Sequence, residues 1–163
     1  MKKILVAVVA VVVLAGGYLA AAHLSGGAFP TLGLPLGGQR AVLRRLATSF
    51  LEDIQFKDFK RAASYHEPAK QASVDIPFLI WRLFAVKPEA LDIMRHEIVF
   101  AEIDSTNLRG RVKSRVQFKE LVRGDIRTQE LMLYYERAQP GAPWHMKLED
   151  SLRQLDAEKG KKT

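Results

Sequence analysis

The chain of 163 residues contains no cysteine. This absence excludes disulfides, thiolate metal sites and cysteine nucleophiles, and it also excludes attachment to a membrane through a lipid-modified cysteine. The sequence lacks glycine-rich phosphate loops, nucleophile elbows, and His, Asp or Glu clusters with metal-ligand spacing. We therefore predict no catalytic residue, no metal site and no cofactor.

An excess of acidic residues is also absent, since the formal net charge is +7 and the sequence pI is about 9.8. Most of the positive excess comes from five lysines at the two ends of the chain: Lys2, Lys3, Lys159, Lys161 and Lys162. The body of the chain between them is close to neutral. No aromatic residues interleave with the cations of its strands as stacking platforms. A nucleic-acid partner is therefore not expected.

Charged residues are missing from Ile4 to Leu24, a run of about 20 mostly apolar residues. A helix rises about 1.5 Å per residue, so this run is long enough to cross a hydrocarbon layer of about 30 Å. Lys2 and Lys3 precede it and favour a cytoplasmic N-terminus. Residues 1–24 are thus predicted to form a single-pass anchor in the cytoplasmic membrane, with the domain in the periplasm or outside the cell.

A cleaved signal peptide is the alternative interpretation of this segment. Ile4–Ala15 has the length of a signal-peptide apolar region, and Ala20–Ala22 offer small residues for cleavage. Tyr18 and Leu24 extend the apolar run and favour a helix that stays in the membrane. Both interpretations export the rest of the chain, and cleavage near Ala22 makes it a secreted protein.

Three further regions follow the apolar segment. Residues 25–39 are rich in glycine and proline and carry no charge, which predicts a linker. Residues 40–152 have the periodicity of a folded domain. Residues 153–163 are charged and lack apolar periodicity, so they are predicted to be a disordered tail.

The first half of the domain is predicted to be helical. Apolar residues recur at the 3.6-residue period from Arg40 onwards. A second helix is predicted from Asp58 to Glu67, where the following proline ends it. A third helix is predicted after Asp75, whose side chain suits an N-cap position.

After His96 the apolar period changes to two, which predicts β-strands. The predicted strands are Glu97–Ile103, Leu108–Leu121, Ile126–Arg137 and Trp144–Glu149. Short turns join successive strands, so the sheet is predicted to be an antiparallel meander. The predicted fold class is α+β, in which an N-terminal transmembrane helix precedes three helices packed on a curved four-stranded antiparallel sheet.

Three stretches of the domain resemble one known superfamily. They are the helix pair at residues 47–65, the long strand Gly110–Leu121 and the closing strand Pro143–Leu148. Over residues 40–152 their order is similar to that of the cone-shaped, cystatin-like, nuclear-transport-factor-like superfamily. The resemblance implies a conical pocket between helices and sheet and a tendency to form homodimers, but it implies no particular reaction.

The implied pocket has four candidate residues: Tyr65, Trp81, Phe84 and Tyr134. Enzymes of the superfamily place Asp, His or Tyr inside the cone as acid, base or oxyanion donor. Residues of these types here are Tyr65, His66, His96, Asp104 and Tyr134. No two of them have a spacing that requires a shared role. Trp81 either belongs to the core or lines a pocket for an apolar molecule.

The second predicted strand carries a row of cations, here called the basic row: Arg109, Arg111, Lys113, Arg115 and Lys119. Alternate residues of a strand share one face at a spacing of about 6.6 Å. Two interpretations stay open. The row is either a solvated sheet face whose cations pair with acids of neighbouring strands, or a docking surface for anionic lipid headgroups or an acidic envelope protein.

These features together predict a membrane-anchored, extracytoplasmic module of the cell envelope that binds a partner or takes part in assembly. The predicted module is not an enzyme. The alternative prediction is a pocket-type binder or a small enzyme that acts on an apolar small molecule.

Overall fold

The computed structural model describes the placement of residues 2–26 and 37–160. Most of the predicted linker, residues 27–36, and the last three residues of the predicted tail lie outside the described residues. Side chains are described at position 6, from 8 to 26 and from 37 to 157. The chain divides into two compact units, residues 1–42 and residues 43–163.

The first unit contains helix α1, Lys2–Leu24. Its large apolar side chains are exposed, among them Val6 at 68 %, Leu14 at 74 % and Leu24 at 78 %. Where the chain is described, no helix is both long and apolar enough to cross a membrane.

Three helices follow: α2, Gly38–Gln55; α3, Phe59–Ala63; and α4, Ile76–Phe84. The Asp58 carboxylate accepts a hydrogen bond from the Arg61 backbone N–H at 3.0 Å and caps α3. Asp75 caps α4 in the same way through the Phe78 N–H at 3.0 Å. The N-cap predicted at Asp75 is therefore confirmed, whereas α3 ends earlier than predicted.

The sheet has four antiparallel strands in the order β1-β2-β3-β4. A short 3-10 turn, Pro88–Ala90, leads into the first of them. The strands are β1, Leu91–Ile103; β2, Arg109–Glu120; β3, Ile126–Glu136; and β4, His145–Met146. With five α-helices among the described residues, this confirms the α+β class and the antiparallel meander.

Strand β1 begins at Leu91, six residues before the predicted start at Glu97. The register against β2 shifts between Ile93 and Arg95 and again between Ile98 and Phe100. Each shift is a β-bulge, which adds a residue and reverses the inward and outward alternation. The period of two is thus interrupted within β1, so the sequence pattern reveals only its later part.

Helix α5, Leu148–Gly160, replaces the end of the predicted fourth strand and the start of the predicted tail. Leu148 and Leu152 are buried at helical spacing. Acidic residues in its first turn suit the positive end of the helix dipole. The helix packs on β3, where Ser151 Oγ accepts a hydrogen bond from the Tyr134 N–H at 3.4 Å.

The core of the second unit lies between one face of the sheet and the helices. Phe84 of α4 meets Phe118 of β2 edge-on, with ring centroids 5.1 Å apart. Leu43 of α2 approaches β2 so closely that a Cβ atom at Gly110 would lie 2.5 Å from its Cδ1. Glycine at position 110 therefore allows α2 to cross the sheet at this point.

Lys57 ties the end of α2 to the start of β1. Its backbone has a φ of 61°, in the left-handed region. Its ammonium group donates hydrogen bonds to the carbonyl oxygens of Pro88, at 2.5 Å, and of Leu91. Burial lowers the pKa of Lys57, and the attraction of Asp92 opposes that shift.

We predict that Lys57→Met lowers the free energy of unfolding by about 1 kcal/mol, because two carbonyl groups lose a charged donor. Denaturant unfolding of the full chain measures the change. Lys60→Met, on the exposed side of α3, is the control and leaves the unfolding midpoint unchanged. Equal midpoints for Lys57→Met and the wild type would show that the ammonium contacts contribute nothing.

Candidate functional site

The basic row lies on the outer face of the sheet, opposite the face that packs against α2 and α4. Val112, Val116 and Phe118 are at most 1 % exposed and point into the core. The cations alternate with these residues along β2, so their side chains project to the other side of the sheet.

Arg111 of the basic row pairs with an acid of strand β1. Arg111 Nη2 lies 2.6 Å from Glu102 Oε2, and Arg111 Nε donates a hydrogen bond to the same oxygen at 2.8 Å. Both side chains are about half exposed. Glu102 and Arg111 are also direct partners in the strand register. The pairing of the two strands therefore places these side chains next to each other.

Glu130 of β3 joins two further cations of the basic row. Its Oε2 is 2.6 Å from Lys113 Nζ, and its Oε1 is 3.1 Å from Arg115 Nη2. Arg115 Nη1 also lies 2.6 Å from Glu97 Oε1 on β1, so Arg115 links three strands. Hydrogen bonds from Lys113, and then from Arg115, hold the pKa of Glu130 below its ordinary value. The hydrogen bond to Glu130 is also the main cause that raises the pKa of Arg115.

The two ends of the basic row also have acids in register. Arg109 is opposite Glu136 of β3, and Glu136 Oε2 lies 3.2 Å from Lys147 Nζ. Lys119 is opposite Asp92 of β1. The outer face therefore alternates in sign across the strands and does not concentrate positive potential. Such a face suits a partner whose own charges alternate in sign.

The four candidate pocket residues lie in separate places. Phe84 is 1 % exposed and belongs to the core. Trp81, on the same helix, is 46 % exposed, so the core interpretation, one of the two predicted for it, is wrong. Its ring lies 5.9 Å from that of Phe78, which is 47 % exposed. The Trp81 side chain is therefore partly open to solvent, whereas that of Phe84 is enclosed in the core.

Tyr65 and Tyr134 are both half-buried, but their hydroxyl groups bind different partners. The Tyr65 hydroxyl donates a hydrogen bond to Asp53 Oδ2 at 2.8 Å. Burial, followed by this hydrogen bond, raises the pKa of Tyr65. Tyr134 shares the outer face with Arg111, its register partner, and its hydroxyl donates to Gln154 Oε1 of α5. The structure does not bring Tyr65 and Tyr134 into one pocket.

Two histidines were candidates for acid–base chemistry. His66 is 5 % exposed, and within the described part of the chain neither ring nitrogen makes a well-aligned hydrogen bond. Burial lowers its pKa, while the nearby backbone of Ala63 and the charge of Glu149 oppose the shift. Burial also lowers the pKa of His96, on β1, against a smaller opposing effect of Glu52. The carboxylate that raises the pKa is Glu149 for His66 and Glu52 for His96, so the two histidines do not share an acidic partner.

Asp104 stabilises the turn between β1 and β2. Its Oδ2 accepts a hydrogen bond from Thr106 Oγ1 at 2.6 Å. Its Oδ1 accepts from the backbone N–H groups of Leu108, at 3.1 Å, and Arg109, at 3.2 Å. The Thr106 hydrogen bond is the main cause that lowers the pKa of Asp104. These contacts give Asp104 a structural role in the hairpin.

A groove of about 700 Å³ opens beside this hairpin. Its charged and titratable lining residues are Glu67, Asp104, Arg109, Glu136, Arg137, His145 and Lys147. One wall contains Arg137, which is 3 % exposed and stacks on the Trp144 ring at 4.2 Å. Sequence reasoning missed this groove because three separate segments form it. No group of three or more His, Cys, Asp or Glu residues that could hold a metal ion occurs among the described residues.

Comparison of the chain with protein-family models, curated proteins and solved structures finds no match. The resemblance to the nuclear-transport-factor-like superfamily therefore stays a prediction from the sequence. The structure itself gives the α+β class and the order of the strands.

We predict that Arg115→Gln raises the pKa of Glu130 toward its ordinary value, because one of its two cationic partners is removed. Carboxyl NMR titration of the full chain measures this shift. A carboxylate with a lowered folded-state pKa stabilises the fold above its unfolded-state pKa. That contribution is lost as pH falls through the folded-state value.

Arg123→Gln, in the β2–β3 turn, is the control for Glu130 and should leave its titration unchanged. The ion-pair network would be refuted if Glu130 titrated at its ordinary pKa in the wild type and did not respond to Arg115→Gln.

Proposed function

We propose that this chain is a membrane-anchored module of the cell envelope whose domain lies outside the cytoplasm. It binds a partner protein through the outer face of its sheet and works by binding or assembly, without catalysis. The exposed apolar surface of α1 is the observation that carries the proposal.

Helix α1 supports the anchor because its large apolar side chains are not buried by protein. The large side chains from Val8 to Leu14 are 54–74 % exposed. A continuous apolar surface is unfavourable in water and is stabilised by an apolar environment. The 23 residues of α1 extend about 34 Å at 1.5 Å per residue, close to a hydrocarbon layer of about 30 Å. The finding that no helix could cross a membrane covers the described residues alone, whereas in the sequence the uncharged run begins at Ile4, before the first described side chain.

The charges at the start of the chain support the proposed orientation. Lys2 and Lys3 precede the uncharged run and favour retention of that end in the cytoplasm. The domain then lies in the periplasm or outside the cell. Cleavage near Ala22 is the alternative, and it produces a secreted domain with the same binding surface.

The outer face supports binding because its charges are ordered before any partner arrives. Arg115 contacts acids on both neighbouring strands, and Arg111 is held by two contacts to Glu102. Ordered side chains lose less conformational entropy on association than mobile ones. Alternating signs also reject partners with the wrong charge pattern. These properties favour a protein over a surface of uniform negative charge.

The position of Phe84 favours binding at a surface over binding in a cone-shaped pocket. Its ring packs against Phe118 in the space between helix and sheet. Phe50, Leu51 and Ile80 are also completely buried in the core. An apolar ligand would have to displace these side chains, which native packing resists.

We predict that reversing one ion pair of the outer face abolishes partner binding without unfolding the domain. The variant is Arg111→Glu combined with Glu102→Arg, which keeps the internal pair and the net charge but exchanges their positions. Affinity purification from gently solubilised membranes of the native cells measures the partner recovered. The wild type is expected to retain a partner that the exchanged variant loses.

Equal thermal midpoints of the wild type and the exchanged variant show that loss of binding is not loss of folding. The proposal is wrong if the wild type recovers no partner under gentle conditions. It is equally wrong if the exchanged variant recovers the same partner in the same amount.

A further inference from the structure

Helix α4 is apolar on two sides. Its inner side buries Ile76, Leu79, Ile80, Leu83 and Phe84. Its outer side presents Pro77, Phe78 and Trp81, here called the aromatic face, and all three are exposed. Phe78 and Trp81 are three positions apart in the sequence, so they are neighbours on one helix surface. Their rings lie 5.9 Å apart with an angle of 47° between the planes.

The fold itself does not require an aromatic face at this position. Asp75 already satisfies the first turn of α4, and the inner side of the helix supplies the contact with the core. Polar residues on the outer side would keep both contacts. Two adjacent aromatic rings that remain half exposed in the folded chain point to a partner outside the chain.

We propose that the aromatic face binds the interfacial region of the bilayer in which α1 is anchored. Tryptophan and other aromatic side chains favour the headgroup level, where an apolar ring and a polar N–H are both accommodated. An interfacial helix buries its apolar side about 5–10 Å into the boundary between headgroups and acyl chains. Arg82, next to Trp81, is paired with Asp156 at 2.7 Å, and the exposed Lys87 that follows the helix supplies a cation for phosphate groups.

This inference rests on the proposed function, because the anchor makes weak lipid binding sufficient. Once α1 is in the bilayer, contact between α4 and lipid is intramolecular and profits from a high effective concentration. A tethered surface therefore needs much less affinity than a free one. Three exposed side chains of a short helix are adequate under that condition.

Lipid binding at α4 also determines which side of the domain stays accessible. Helix α4 packs on the core face of the sheet through Phe84 and Phe118. The basic row projects from the opposite face. Binding of α4 to the membrane therefore leaves the outer face directed away from the lipid and available to a protein partner.

Fluorescence quenching by brominated lipid tests this inference. The full chain is reconstituted in vesicles of phosphatidylethanolamine and phosphatidylglycerol, with and without bromine on acyl carbons near the headgroups. The chain has two tryptophans, and the second, Trp144, is 7 % exposed under the Arg137 guanidinium. Bromine is expected to quench most of the Trp81 emission, and Trp81→Phe should remove nearly all of the bromine-dependent loss.

Phe78→Ser is expected to weaken the quenching, since it removes the adjacent ring. The matched control is Val99→Ser, which changes a side chain that is 40 % exposed on edge strand β1. This control should retain full quenching. Trp81→Phe conserves size and apolarity, so the test does not depend on whether Phe78→Ser folds.

Unchanged Trp81 emission in brominated vesicles overturns the inference when the chain resists carbonate extraction. Shielding of Trp81 by a purified partner protein, without quenching by lipid, overturns it as well. Carbonate extraction tests the anchor separately. A chain that is extracted but quenched on addition of vesicles refutes the anchor and keeps lipid binding by α4. A chain that is extracted and not quenched refutes both.

Discussion

The alternation of side chains along β2 is the constraint on which the rest of the domain depends. One side of β2 contributes Val112, Val116 and Phe118 to the core, and the cations between them form the outer face. Neighbouring residues of a strand cannot change sides independently. A shift of one residue in register would place the guanidinium and ammonium groups in the core. Burial of the apolar set therefore fixes the position of the basic row.

The same constraint separates the surfaces of the second unit. Helices α2 and α4 cover the core face, with α4 held against β2 through Phe84. The outer face is ordered by Arg115, which binds carboxylates on both neighbouring strands. We interpret the outer face as the surface for a protein and the exposed side of α4 as the surface for lipid. The proposed tether through α1 would allow the domain to use both at once, because they lie on opposite sides of the sheet.

Local signals predicted much of this fold. The bounds of β2 and the N-cap at Asp75 are close to the predicted ones, because alternation and capping are short-range properties. Long-range features were missed. The ion pairs of Arg115 depend on strand register, which bulges in β1 displace. The sequence of α4 could not predict that Trp81 is exposed. Apolar residues occur on all sides of this helix, and only its packing against the rest of the domain distinguishes the buried side from the exposed one.

Membrane retention of an uncut chain is the central claim of this account. N-terminal sequencing of the chain from carbonate-washed membranes of fractionated cells tests it most directly. We predict an N-terminus ahead of Ile4, so that the chain in the membrane fraction retains the whole uncharged run from Ile4 to Leu24. A chain that begins near residue 23 in the soluble exported fraction would contradict retention. An uncut chain in the cytosol, without association with membranes, would contradict both the anchor and the proposed location.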